Sequence, residues 1–66
     1  MNTDRLVAMA NDIAAFFAAE PDSAAEQVAL HLKKFWEPRM RKEIRQYLEQ
    51  GGTGLSPVAK RGVERL

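Results

Sequence analysis

The sequence predicts a small all-α protein: a bundle of three helices followed by a short C-terminal helix. Apolar residues recur at spacings of three and four residues, and the alternation typical of a strand is absent. Prolines, glycines and capping residues separate these stretches. The 66 residues suffice for one small domain over 1–66, and the lack of cysteine excludes disulfides and thiolate metal sites.

The first helix is predicted over about residues 4–19, with Asn2 or Thr3 as its N-cap. Its large apolar residues are spaced three, four, three and one residues apart, which places them on one face of the helix. They are Leu6, Met9, Ile13, Phe16 and Phe17. The segment Glu20-Pro21-Asp22 is expected to end this helix.

The second helix is predicted over about residues 24–36, because Ser23 and Glu26 have the spacing of a capping box. Its apolar stripe consists of Val28, Leu32, Phe35 and Trp36. Pro38 suits the first turn of a third helix, predicted over about residues 38–50. Met40, Ile44, Tyr47 and Leu48 form the apolar stripe of that helix.

The glycine-rich segment 51–54 is predicted to end the third helix, because glycine readily adopts the left-handed conformation found there. A phosphate-binding loop is disfavoured, since no strand precedes the segment and no Lys-Ser/Thr pair follows it. Ser56 and Pro57 then begin a short helix over about residues 57–65. Gly62 weakens that helix by about 1 kcal/mol relative to alanine, so we expect it to fray unless something covers it.

The two halves of the chain carry opposite charge. Residues 1–31 contain one base and five acids, a net charge of −4, whereas residues 32–66 contain nine bases and four acids, a net charge of +5. This polarity favours an oriented contact with an acidic surface, or a contact guided by electrostatic attraction. It is weaker than the overall basicity expected of a nucleic-acid-binding domain.

The segment from Phe35 to Arg41 points to a protein partner, because it joins two aromatic rings, a proline bend and two arginines. Neighbouring rings on a helix diverge by about 100°, so one ring of each adjacent pair should face outward or lie at the rim of the core. We expect Phe35 and Trp36 to anchor the partner, and Trp36→Ala to weaken assembly while preserving helix content. The predicted interface comprises Phe16, Phe17, His31, Phe35, Trp36, Arg39, Met40, Arg41 and Arg45.

No catalytic, cofactor-binding or metal-binding residue is predicted. His31 is the only conventional general base near neutral pH, and its place at the edge of the apolar stripe indicates a boundary or interface histidine. Ser23 and Ser56 are explained as helix caps. No targeting segment and no bilayer-spanning stretch is recognised, so a cytoplasmic protein is expected.

Three blocks of the sequence, residues 6–17, 31–41 and 51–57, resemble the delta subunit of bacterial NAD-dependent, molybdenum-containing formate dehydrogenases. The resemblance implies a cytoplasmic complex that oxidises formate to carbon dioxide and reduces NAD. Its other subunits would carry the molybdenum bis-pterin cofactor, iron–sulfur clusters and FMN. This chain would be a non-catalytic accessory subunit that docks on the large catalytic subunit, among its companion subunits, and supports assembly or stability.

Two alternatives stay open. The chain could instead be a transient assembly chaperone that escorts the cofactor-bearing subunit and leaves. It could also be a small helical protein that binds nucleic acid through the surface between Lys33 and Arg45. Glu37 and Glu43 interrupt that basic surface, so nucleic acid is the less favoured partner. No contact with a membrane is predicted.

Overall fold

The computed structural model describes residues 2–66 and contains four α-helices in that range. They are α1 (Thr3–Phe17), α2 (Pro21–Phe35), α3 (Pro38–Glu49) and α4 (Pro57–Glu64). No strand occurs among these residues, and the predicted all-α class is confirmed. Every pair of helices is in contact, and the most extensive contact joins α2 to α4.

Helix α1 begins at one of the two predicted caps. The Asn2 side chain accepts a hydrogen bond from the Asp4 backbone N–H at 2.8 Å, which satisfies a free donor of the first turn. Leu6, Ala10 and Ala14, four residues apart, are buried in the core. The helix ends two residues before the predicted limit.

Helix α2 begins at Pro21 and not near residue 24, so the predicted capping box is wrong. Proline is well suited to the first helical position, because its ring presets φ and the N–H it lacks would have no helical partner there. The start therefore moves forward to the proline, and Glu20 is the N-cap without a side-chain cap bond. Ser23 lies inside the first turn, where its hydroxyl accepts from the Gln27 side chain at 2.8 Å.

A short extended bend joins α2 to α3. Trp36 and Glu37 both adopt extended backbone conformations, which the proline at position 38 favours for the residue before it. The Arg41 guanidinium reaches back across this bend. One of its nitrogens donates to the backbone carbonyl oxygens of Lys33 at 3.0 Å and Trp36 at 2.6 Å. Arg41 therefore satisfies acceptors at the end of α2 that have no partner within the helix.

Helix α3 ends in a Schellman motif, as the predicted glycine turn requires. The Gly51 N–H donates to the Leu48 carbonyl and the Gly52 N–H to the Tyr47 carbonyl, both at 3.0 Å. The φ angles of the two glycines are +121° and +63°, values that residues with a side chain rarely adopt.

Helix α4 is part of the core and not a loosely attached tail. The Ser56 hydroxyl accepts from the Ala59 N–H at 3.2 Å, which confirms the predicted cap. Ala59, Gly62 and Val63 are buried. The sequence analysis expected α4 to fray unless another element covered it, and α2 covers it. The core cluster consists of Leu6, Ala10, Ala14, Val28, Leu32, Trp36, Ile44, Leu55, Ala59 and Val63.

Candidate docking surface

Four rings from α1 and α2 form a continuous row, which we call the aromatic face: Phe16, Phe17, His31 and Phe35. The Phe16 and Phe17 rings meet edge to face, with their centroids 5.1 Å apart. The Phe17 and His31 centroids are 6.2 Å apart, and those of His31 and Phe35 are 4.7 Å apart. These spacings lie in the range of favourable aromatic contacts.

Two members of the aromatic face are unusually exposed for phenylalanine. The exposed fraction is 78% for Phe16 and 64% for Phe35. Their sequence neighbours point the other way, since Phe17 packs against the core and Trp36 is only 5% exposed. The prediction that one ring of each adjacent pair faces outward is therefore confirmed.

An open groove of about 250 Å³ lies at the α1 side of the aromatic face. Its lining is mainly apolar, and it consists of Asp12, Ile13, Phe16, Phe17 and His31. At the opposite end of the row, the Lys34 ammonium lies 5.7 Å from the centroid of the Phe35 ring, within the range of a cation–π contact. The groove is thus mainly apolar with one acid, Asp12, in its lining, and a cation lies over the ring at the far end of the row.

Two of the predicted interface residues have roles inside the chain. The Trp36 ring belongs to the core, so the prediction of an accessible tryptophan anchor is wrong: the bend before Pro38 turns it inward against the other helices. The half-buried Arg41 uses its guanidinium to bind the carbonyls at the end of α2. An arginine held by its own chain is a poorer candidate for pairing with a partner's acid.

The remaining predicted residues lie on α3. Arg39 and Arg45 are exposed, whereas Met40 is partly buried and packs against the core. Arg45 also lines a shallow polar groove of about 220 Å³ with Lys42, Gln46 and Glu49. The structure therefore gathers four of the nine predicted residues into the aromatic face, and places these three on a different helix.

Asn11 is a residue that the sequence analysis did not single out. Its side-chain amide donates to the Gly54 carbonyl at 2.9 Å and accepts from the Ser56 N–H, also at 2.9 Å. It thereby ties α1 to the loop before α4, which the Tyr47 hydroxyl also holds by donating to the Thr53 carbonyl. An asparagine inside an alanine-rich helix was the available signal, because asparagine is a poor helix former.

Within residues 2–66, no group of three or more His, Cys, Asp and Glu side chains is arranged to hold a metal ion. Over the same range, no helix has the length and apolar character needed to cross a bilayer.

These features define a small all-α protein with a partly exposed row of aromatic rings on α1 and α2. The family described as NADH-dependent formate dehydrogenase delta subunit FdsD matches residues 5–63. The chain belongs to this formate dehydrogenase delta subunit family, as the resemblance of its three sequence blocks implied. The comparison with curated proteins found no match, and neither did the comparison with solved structures.

Proposed function

We propose that this chain is a non-catalytic accessory subunit of a cytoplasmic NAD-dependent formate dehydrogenase. It docks through the aromatic face on the large molybdenum and iron–sulfur subunit, and it supports the assembly or stability of that subunit. The observation that carries the proposal is the exposure of Phe16 and Phe35 in one row with Phe17 and His31. Membership of the formate dehydrogenase delta subunit family supports the proposal, because a subunit of a complex has partner subunits that could cover such a surface.

The energetics favour covering this face. Burial of a phenylalanine side chain contributes about 1.5–3 kcal/mol, and Phe16 and Phe35 leave most of that contribution unused in the free chain. Aromatic residues are also enriched among the few residues that dominate binding energy at protein interfaces. A partner that buries both rings would gain affinity without disturbing the core, because neither ring belongs to the core cluster.

The residues of this chain do not fit the cofactors of such a complex. Iron–sulfur clusters are held mainly by cysteine thiolates, and the sequence contains no cysteine. We therefore assign the iron–sulfur clusters to the other subunits. We propose the same for the molybdenum cofactor, FMN and NAD, as the family resemblance implies.

Co-purification tests the proposal. The tagged chain is expressed with the large subunit and its companions, and the eluate is assayed for formate-dependent NAD reduction. We expect the wild-type chain to retain the subunits in active, stoichiometric form. The double variant Phe16→Ala/Phe35→Ala should retain less than about a tenth as much, because truncating such anchors typically costs 2 kcal/mol or more (roughly thirtyfold in affinity).

Leu30→Ala is the matched control, because Leu30 is 57% exposed on α2 but lies outside the row of rings. Equal loss in the control and the double variant would argue against the aromatic face as the docking surface. A transient chaperone, which also needs an exposed apolar face, predicts recovery of inactive large subunit and absence of the chain from the mature enzyme. Recovery of none of the subunits would contradict the accessory role.

A further inference from the structure

Helix α3 is the helix that apolar burial holds least. Of its twelve residues only Ile44 is buried, whereas α1 has three buried residues, α2 four and the shorter α4 three. Met40, Tyr47 and Leu48 are only partly buried against the core. The contacts of α3 with the other helices are also the least extensive in the fold. Because apolar burial is the main contribution to helix packing, α3 should have the lowest local stability of the four helices.

Polar contacts hold α3 along its length. In its middle, the Thr3 hydroxyl of α1 donates to the Glu43 carboxylate, and both residues are half-buried; we call this hydrogen bond the latch. Near its start, Arg41 donates to carbonyls at the end of α2, and near its end Tyr47 donates to the Thr53 carbonyl. Hydrogen bonds for which water can compete contribute modestly to net stability. These contacts therefore set the position of α3 but hold it less firmly than apolar burial would.

Two segments suited to act as hinges flank α3. Before it, the exposed Glu37 has an extended backbone, so the helical hydrogen bonds of α2 do not continue into α3. After it, the segment 51–54 contains three glycines with positive φ. Glycine has a wide range of accessible φ and ψ, so this segment can change direction at low energetic cost. Helix α3 can therefore move as one unit, with the change in backbone conformation confined to its two ends.

We propose that α3 opens as a unit from a platform formed by α1, α2 and α4, and that the latch between Thr3 and Glu43 holds it closed. The platform stays packed because the most extensive helix contact joins α2 to α4, where Gly62 closely approaches Val28. Opening uncovers the part of the core that Ile44 covers. It leaves the aromatic face complete, since all four rings lie on α1 and α2. The opening goes beyond the proposed function and is measured on the full chain alone.

Native-state hydrogen exchange at increasing urea concentration separates this opening from global unfolding. We expect the amides of residues 42–49 to exchange as one group, with protection factors about tenfold lower than those at the centres of α1 and α2. Their opening free energy should also fall less steeply with urea, because opening α3 exposes less surface than unfolding the chain. If residues 42–49 share the protection and the urea dependence of α1 and α2, α3 opens only with the whole chain and the proposal is overturned.

Substitutions in the latch test its role. Thr3→Val removes the donating hydroxyl but keeps the shape of the side chain, so it should lower the protection of residues 42–49 about fivefold. Thr3→Ser keeps a hydroxyl and is the matched control, with an expected change of less than about twofold. Unchanged protection of residues 42–49 in Thr3→Val would show that the hydrogen bond to Glu43 does not hold α3 closed.

A substitution in the platform tests whether α3 opens separately. Ala29 is buried in the middle of α2, and Ala29→Gly weakens that helix. It should lower the protection at the centres of α1 and α2 a few-fold and change that of residues 42–49 by less than about twofold, because the closed and the open form contain the same platform. An equal loss of protection in both groups would contradict a separate opening of α3.

Discussion

Two adjacent residues illustrate how sharply side-chain environment changes within this chain. Phe35 is 64% exposed and lies at the end of the aromatic face, whereas Trp36 is 5% exposed and lies in the core. The divergence of neighbouring side chains was predictable from helical geometry. Which ring faces inward was not, because the choice depends on how α1, α3 and α4 surround the bend.

The pair supports a direct prediction about stability. Trp36→Ala should lower the free energy of unfolding by about 3–5 kcal/mol, since it leaves a cavity where a large ring was packed. A domain of this size has roughly that much net stability from its core, so we expect most helix content to be lost. Circular dichroism and urea unfolding measure both quantities.

Phe35→Ala is the matched control and should change the free energy of unfolding by less than about 1 kcal/mol, because its ring is mostly in solvent. This expectation replaces the one based on sequence alone, in which Trp36→Ala preserved helix content. A stable, fully helical Trp36→Ala variant would contradict the buried position of the indole.

The helices show which structural signals are local and which are not. The caps Asn2 and Ser56 and the glycine turn at 51–52 were predictable, because each depends on hydrogen bonds to the nearest few residues. The start of α2 was mispredicted because two local signals competed, and Pro21 prevailed over Ser23. The burial of α4 required knowledge of its neighbours, which its own eight residues do not contain.

Gly62 allows α4 to approach α2 closely. A Cβ atom at this position would lie 2.4 Å from Val28 Cγ1 and 2.7 Å from Val28 Cβ, well inside van der Waals contact. We predict that Gly62→Ala lowers the free energy of unfolding by about 1–3 kcal/mol from overpacking, despite a gain of up to about 1 kcal/mol in helix propensity. Urea unfolding monitored by circular dichroism measures the change.

Val28→Ala provides the control in a double-mutant cycle. It should destabilise the wild-type chain by creating a cavity, but cost less in the Gly62→Ala background, where the missing methyl groups make room for the new one. Additive effects, or a stabilising Gly62→Ala, would contradict close packing of the two helices. A stabilising Gly62→Ala would indicate that Gly62 acts only through its low helix propensity.

At the scale of the whole molecule, the aromatic face and the exposed arginines of α3 lie on different helices. The aromatic face is built by α1 and α2, whereas exposed Arg39 and Arg45 lie on α3. The sequence indicated all of these residues as one interface, because they are either aromatic or basic. Their separation is a tertiary property: it arises from the packing of α1 against α2 and from the bend before Pro38.

Because the aromatic face and the α3 arginines are separate, we expect substitutions in the two regions to affect different rate constants of complex formation. Phe16→Ala should act mainly on the dissociation rate of the complex, raising it about tenfold, because it removes a short-range contact. Arg39→Ala/Arg45→Ala should instead lower the association rate a few-fold at low salt, if the partner surface is acidic, and have little effect at high salt. Surface plasmon resonance at two salt concentrations resolves both rates.

Arg61→Ala/Arg65→Ala is the control for the arginine effect, because it removes the same charge from exposed positions in and next to α4. Equal slowing by both double variants would indicate attraction by net charge alone, without orientation by α3. A change in the dissociation rate alone would place the two α3 arginines inside the contact.

The central position of α4 also has a consequence during protein synthesis. Ala59 and Val63 help to enclose Leu6, Val28 and Leu32, so a nascent chain lacks part of its core until residues 57–64 have left the ribosome. Until then the apolar stripes of α1 and α2 stay partly uncovered, next to Phe16 and Phe35, which are exposed even in the folded chain. Closure of the core therefore follows the exit of α4 from the ribosome. A chain truncated before this segment would expose apolar surface and be prone to aggregation and proteolysis.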